Sequence, residues 1–234
     1  MSGQAPARTR QPREKRLADI LAAAREVFRE RGYEDTSITE IATRAGLVEG
    51  SIYRFFDSKR ELLIRVVELW YEEVLADYDR QLAGVRGVWN RLRFMIWHHL
   101  KSIHENPELV ALFFRHIRVS PDYVHSTVYE LNRRYTNRIV EIVQGGVASG
   151  ELWPDISTTI VRDLIYGCIE HHTWRYIARA GDFDPDTAAD AITDVVYRCL
   201  ANHETRSSTV ARLEATIARL EAVIDRLTAD GGRQ

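Results

Sequence analysis

Cysteine is scarce in this 234-residue chain, with only Cys168 and Cys199, neither in a metal-ligand spacing. Both lie among apolar residues of apparent helices and read as buried thiols, which suits a reducing cytoplasm and excludes a disulfide scaffold. No stretch approaches the run of roughly 20 apolar residues that spans a bilayer, and no secretory signal precedes the first helix. The expectation is a soluble, cytoplasmic protein that makes no membrane contact. Alternating β-branched segments are missing, so no strand competes with helix and the expected fold class is all-α. The chain has no His-Glu-x-x-His, no Glu-x-x-His pair on two helices, no phosphate-cradling glycine loop, no nucleophile elbow and no redox cysteine pair. An enzyme is therefore not expected, nor a cofactor or a bound metal. Charge of one sign is also lacking overall: the formal balance of −2 argues against a chain wholly devoted to nucleic acid.

What is present is organised around residues 36–56. Ser37 followed by Glu40 reads as a reciprocal capping box. Ile38, Ile41, Ala42 and Ala45 recur at helical spacing, and Gly46 supplies the left-handed geometry that ends a helix. A second helix over 48–56 turns Ile52 and Phe56 inward and leaves Glu49, Ser51, Tyr53 and Arg54 towards solvent. Two helices joined by a tight turn, the second one polar, describe a helix-turn-helix able to enter a DNA major groove. Leu17, Ile20, Leu21, Ala24, Val27 and Phe28 form one face of a preceding helix that ends at Gly32 and should clamp the pair. The sixteen residues at the start carry Arg8, Arg10, Arg13, Lys15 and Arg16 against Glu14 alone. Such an arm either neutralises phosphates or is a solubilising tail.

Tyr33, Thr36-Ser37, Ile41-Ala42, Ala45-Gly46-Leu47, Gly50-Ser51-Ile52-Tyr53, Phe56, Lys59 and Leu62 follow one another in the order of a known signature. The region 14–63 thereby resembles the N-terminal domain of the TetR family of bacterial transcriptional regulators. Two positions depart: Val48 stands where the family has a small polar cap, and Glu49 where it has a basic or polar residue. The resemblance implies a homodimer on double-stranded DNA with a palindromic operator, most often acting as a repressor. It places Tyr53 and Lys59, with Thr36 or Ser37, at phosphates. Arg44, Ser51 and Arg54 become candidates for base edges or nearby backbone, with Gly50 in the same helix. Glu49 would repel phosphate and must face a cytosine amino group or point away.

Beyond this head the chain divides into a flexible basic arm (1–12), the DNA-binding domain (13–57), a helical effector-binding and dimerisation domain (58–204) and a C-terminal heptad helix with tail (205–234). Ser58 and Glu61 make a second capping box, opening a helix that leaves the head. Asn106-Pro107, Ser120-Pro121 and Asp184-Pro185 each read as helix starts. The resemblance implies that helices 157–180 and 185–202 pair with their copies in a dimer. Ile160, Leu164, Gly167 and Cys168 would serve the first, and Ala188, Ile192, Val195, Val196 and Cys199 the second; ordinary intramolecular core is the alternative. In the tail, Val210, Leu213, Ile217, Leu220, Ile224 and Leu227 form a short heptad seam. Its partner is a symmetry mate's tail, a second dimer, or its own body.

The middle domain is rich in aromatics and histidines. Phe94, Trp97, His98, Phe113, Phe114, Tyr123, His171 and Trp174 are candidates to line an apolar effector cavity, a plain aromatic core being the other reading. The segment 165–174 resembles the equivalent helix of the acyl-CoA-responsive, fatty-acid-degradation branch of the family. That implies a long apolar chain on an anionic handle, with Arg115, Arg118, Arg133, Arg134 and Arg138 available to phosphates. The competing class is a helical-bundle metal or small-molecule enzyme retaining a DNA-binding domain, resting on Glu170, His171, His172 and the His98-His99 pair.

Overall fold

The computed structural model describes residues 12–202 and, in the tail, 213, 216, 217, 220 and 221. The basic arm before Pro12 and most of the heptad segment lie outside the described residues. Of the seam, Leu213, Ile217 and Leu220 are helical and each more than half exposed.

Three helices build the head: α1 (Arg13–Arg31), α2 (Ile38–Arg44) and α3 (Glu49–Ile52). Their apolar stripes meet as the periodicity predicts, with Ile20, Ala24, Val27, Phe28, Ile41 and Ile52 fully buried. Ser37 caps α2 by accepting from the Glu40 amide at 3.1 Å. The box is only half formed, because the Glu40 carboxylate turns to Arg31 instead. Gly46 has φ +68°, and Leu47 N–H closes the end of α2 on the Ala42 carbonyl at 2.8 Å. The second helix is shorter than the expected 48–56. Past Ile52 the amides of Phe55 and Phe56 both bond the Ile52 carbonyl, so the chain tightens into a turn.

The body starts at α4 (Lys59–Leu82), capped by Ser58, whose hydroxyl accepts from Glu61 N–H at 3.1 Å. It continues through α5 (Val88–Glu105), α6 (Pro107–Leu112), a widened π turn over Phe113–Ile117, a 3-10 turn over Tyr123–His125, α7 (Thr127–Ala148), α8 (Thr158–Ile177) and α9 (Pro185–Leu200). The described residues contain no strand, only an isolated Leu152–Ala201 bridge that pins the loop after α7 to the end of α9. All-α is the observed class. Helix α5 lies along α9, and α7 sits between α4 and α8.

Several expectations change. Ser120-Pro121 opens the 3-10 turn rather than a helix, and the cap of α7 is Ser126, accepting from Tyr129 N–H at 3.2 Å. Asn106 precedes α6 but spends its side chain on the Ser102 carbonyl and on Arg25, not on a cap. Helix α8 stops at Ile177, where Ala178 caps it and Arg179 takes φ +57°. Cys168 and Cys199 are exposed, not buried; both lie on the outward sides of α8 and α9, which periodicity alone does not separate from the inward ones. Ile160, Leu164, Gly167 and Cys168 form an exposed stripe on α8, and Val195 and Cys199 face outward on α9. Ala188 and Val196, placed in the same interface by sequence, are buried in their own subunit.

Candidate nucleic-acid interface and effector cavity

The head presents Val48, Glu49, Gly50, Tyr53 and Arg54 to solvent and Ser51 partly so, while Ile52 and Phe56 anchor the turn from inside. Nothing stands within 4 Å of the position a Gly50 side chain would take, so an approaching surface can reach the backbone there. Tyr53 is half exposed. Glu49 is exposed but engaged: Thr39, on α2, donates its hydroxyl to that carboxylate and ties the two helices together.

Three of the sequence candidates are engaged inside the head. Thr36 is buried, its hydroxyl donating to the Gly32 carbonyl at 2.5 Å. The Lys59 ammonium donates to the carbonyls of Tyr33 (2.7 Å), Thr36 (2.9 Å) and Glu34 (3.3 Å) and lies 4.4 Å from the Tyr33 ring centre. It therefore fastens the α1–α2 loop to the start of α4. Arg44 forks onto Glu30 at 2.8 and 3.1 Å and reaches Glu26 at 3.3 Å. These carboxylates raise the Arg44 pKa, and the guanidinium holds Glu30 below its ordinary value. Ser37 is occupied as a cap, although its hydroxyl sits at the N-terminus of α2, where backbone amides favour an anion. Tyr53, Arg54, Gly50 and partly Ser51 are the candidates left open.

Head and body meet along a cleft of about 720 Å³ rimmed by charged side chains of α1, the loop after it, α6 and the π turn, with Arg179 just past the end of α8. Across it the Tyr33 ring lies 4.6 Å from His116; away from it, Arg25 of α1 ties head to body by bridging Glu73 and Asn106, and Arg60 at the start of α4 donates to the Ser120 hydroxyl at 2.8 Å. The polar rim of the cleft suits a joint between two parts better than an apolar ligand.

A second cavity, about 180 Å³, lies inside the body. Trp70 and Tyr71 of α4, Ile103 of α5, Val110 of α6 and Phe113 and Phe114 of the π turn give it apolar walls. Arg118, Arg133 and Arg162 also line it, with Asp163 and Glu170. The π turn is what aims Phe113, Phe114 and Arg118 together: Arg118 N–H reaches back five residues to the Phe113 carbonyl at 2.8 Å. Such widened turns recur at functional sites. Arg118 is ion-paired with Glu170 on α8 and stacks over Phe114.

Of the eight aromatic and histidine candidates, only Phe113 and Phe114 line this cavity; of the five arginines offered to phosphates, Arg118 and Arg133 do. Tyr123 packs just behind, accepting from Asn132 at 2.9 Å. Trp97 and His98 line a separate groove of about 220 Å³ between α4 and α5, and Phe94 packs against both. His98 is buried between Asp77 and Tyr135, each 3.2 Å from a ring nitrogen. The carboxylate needs a donor, so Nε2 carries the proton and Nδ1 accepts from Tyr135. Burial lowers the His98 pKa against the pull of Asp77. His171 and Trp174 are exposed on α8, away from the cavity. Trp70, Tyr71 and Tyr166 also line the cavity although the sequence offered none of them as ligand contacts, and His99, named there with His98 for a metal, lines it too. Among the described residues, no three His, Cys, Asp or Glu side chains converge as a metal would need, and no helix is long and apolar enough to cross a membrane.

A three-helix head with an outward second helix, joined through one long helix to an all-helical body with an internal cavity, defines a one-component DNA-binding regulator. The chain belongs to the TetR family. Residues 20–66 match the family model for bacterial regulatory proteins of the tetR family, and residues 86–200 that of the tetracyclin repressor-like C-terminal domain. The fatty acid metabolism regulator protein of Bacillus subtilis is 25% identical over 157 residues, 66% of this chain and 81% of that protein. The transcriptional repressor KstR2 of Mycolicibacterium smegmatis is 28% identical over 171 residues, 73% of this chain and 81% of that one. The fold matches the crystal structure of the Bacillus subtilis transcriptional regulator FadR in complex with stearoyl-CoA, with a TM-score of 0.69 and 21% identity, over 77% of this chain and 97% of that one. These relatives are regulators, and the metal-enzyme alternative is not favoured.

Proposed function

We propose that this regulator is a repressor released from its operator by a long-chain acyl-CoA or a closely similar ligand, an apolar chain on an anionic handle. The observation that carries the reading is the aromatic cavity with arginines on its wall. Arginine forks match phosphate oxygens, and an apolar interior takes a hydrocarbon. The stearoyl-CoA bound to the Bacillus subtilis relative supports the same class.

At about 180 Å³ the cavity is smaller than the roughly 300–1,000 Å³ of ligand pockets in general. A long chain must therefore push the surrounding helices outward. One of them, α4, carries Trp70 and Tyr71 on the cavity wall and, at its first residue, Lys59, which is bonded to the head. An anionic handle would also compete with Glu170 for Arg118. The ligand favours the expanded arrangement, and only that difference in affinity between two arrangements can move the head.

Pairing of two copies is typical of the family, and the exposed stripe of Ile160, Leu164 and Cys168 on α8, with Val195 on α9, is suited to it. A dimer presents two reading helices to successive major grooves of a palindrome, about 34–36 Å apart. Tyr53 and Arg54 with the backbone at Gly50 are then the DNA contacts. The test is fluorescence anisotropy of DNA selected from a random library, titrated with stearoyl-CoA. Release by stearoyl-CoA and not by free CoA supports the reading; indifference to both defeats it.

A further inference from the structure

We propose that the cavity selects a chain bearing a neutral oxygen, a hydroxyl or carbonyl, received by Tyr166 and His99, over a plain hydrocarbon chain. The inference rests on the effector reading above and names which member of that ligand class fits. Tyr166, on the inner side of α8, is 8% exposed, and its hydroxyl has no hydrogen-bond partner. The ring of His99, on α5, stands edge-on to it at 5.0 Å. Both line the cavity.

Other polar groups of that wall are already engaged. Tyr71 donates to Asn132 at 3.2 Å, Asn132 donates to Tyr123, Thr173 donates to the Ile169 carbonyl at 2.8 Å, and Arg118 holds Glu170. Trp70, on the wall shared with the neighbouring groove, also has an unpartnered indole N–H. A hydrocarbon chain drawn past these groups would leave them without partners, whereas an oxygen would complete them.

Charge can be excluded at this point. Burial and the neighbouring His98 push the His99 pKa down to about 3, and burial holds the Tyr166 hydroxyl far above its usual range. Both are neutral at any cellular pH. His99 is half-buried and lines the cavity. A neutral imidazole offers one donor and one acceptor and a phenol one proton, the complement of a hydroxyl or a carbonyl and not of an ion. The arginines take the anionic part.

The test uses the full-length protein and isothermal titration with octadecanoyl-CoA and a series of hydroxy- and oxo-octadecanoyl-CoA thioesters whose oxygen is walked along the chain. At least one oxygenated member should bind about tenfold more tightly than the plain chain, the worth of one well-made buried hydrogen bond. Tyr166→Phe should erase that gap while leaving octadecanoyl-CoA affinity in place, and His99→Phe, checked by thermal melt, should narrow it. Equal affinity across the series overturns the inference while leaving the effector reading standing, as does a gap that survives in both variants. Failure of every thioester to bind overturns both.

Discussion

Arg44 lies in a two-pronged clasp on Glu30, 2.8 and 3.1 Å from its two oxygens, and joins the end of α2 to α1. An arginine held in this way is not available to DNA without first leaving its carboxylates. Arg54, in contrast, is exposed beside the reading turn. Arg54→Ala should weaken operator binding and reduce the slope of log K against log salt by about one. Arg44→Ala should leave that slope nearly unchanged. Anisotropy at four or five salt concentrations separates the two, and equal slope changes would show that the clasp opens on DNA.

Lys59→Ala is expected to loosen the head. Its ammonium satisfies three carbonyls at the α1–α2 loop. Losing a charged donor and stranding its acceptors costs about 1–3 kcal/mol. A calorimetric melt should show it, and Lys59→Arg should restore only part of the loss.

Gly146 allows α7 to approach the 150–155 loop. A Cβ there would lie 2.7 Å from Leu152 and 3.0 Å from Val88. Gly146→Ala should cost about 1–3 kcal/mol through overpacking, exceeding the roughly 1 kcal/mol that alanine contributes in a helix. A rise in chemical-denaturation midpoint instead of a fall would mean that Leu152 moves aside freely.

Acid should destabilise the body before it reaches its carboxylates. The folded pKa of His99 is near 3, below the ordinary value of 6.5, so the unfolded chain takes up the proton first. Stability is full above about 6.5 and falls as pH drops from there towards 3; one fully shifted histidine contributes on the order of 2 kcal/mol of that loss by pH 5. His98 shifts in the same direction. Asp77, held low chiefly by Gln81 and also by Arg80 and His98, loses its contribution only at lower pH. Melts from pH 7.5 to 5 should show a steeper decline for the native chain than for His99→Phe.

The head was legible because its signals are local. Ser37, Gly46, Ile52 and Phe56 act through spacing along the chain, and each stands where periodicity put it. The cavity was not, because it depends on which side of each body helix faces inward. In 165–174 the apolar and aromatic residues run all round the helix, so Trp174 looked as good a lining residue as Tyr166, although one is exposed and the other buried. The π turn at Phe113–Ile117 left no trace in composition. Engagement of Lys59 and Arg44 was equally hidden, since their partners come from Tyr33, Thr36 and Glu30 on other elements.

Helix α4 has 24 residues, roughly 36 Å of stiff rod, with Lys59 at one end and Tyr71 halfway along. Twelve residues separate the cavity wall from the head, roughly 18 Å of arm. A tilt of about 5° at Tyr71 sweeps the far tip through roughly 1.5 Å, and twofold symmetry would double that in the span between two reading heads. Swelling too slight to notice inside the body thus becomes a misfit about the length of a covalent bond, or twice that, where the protein must straddle a rigid duplex.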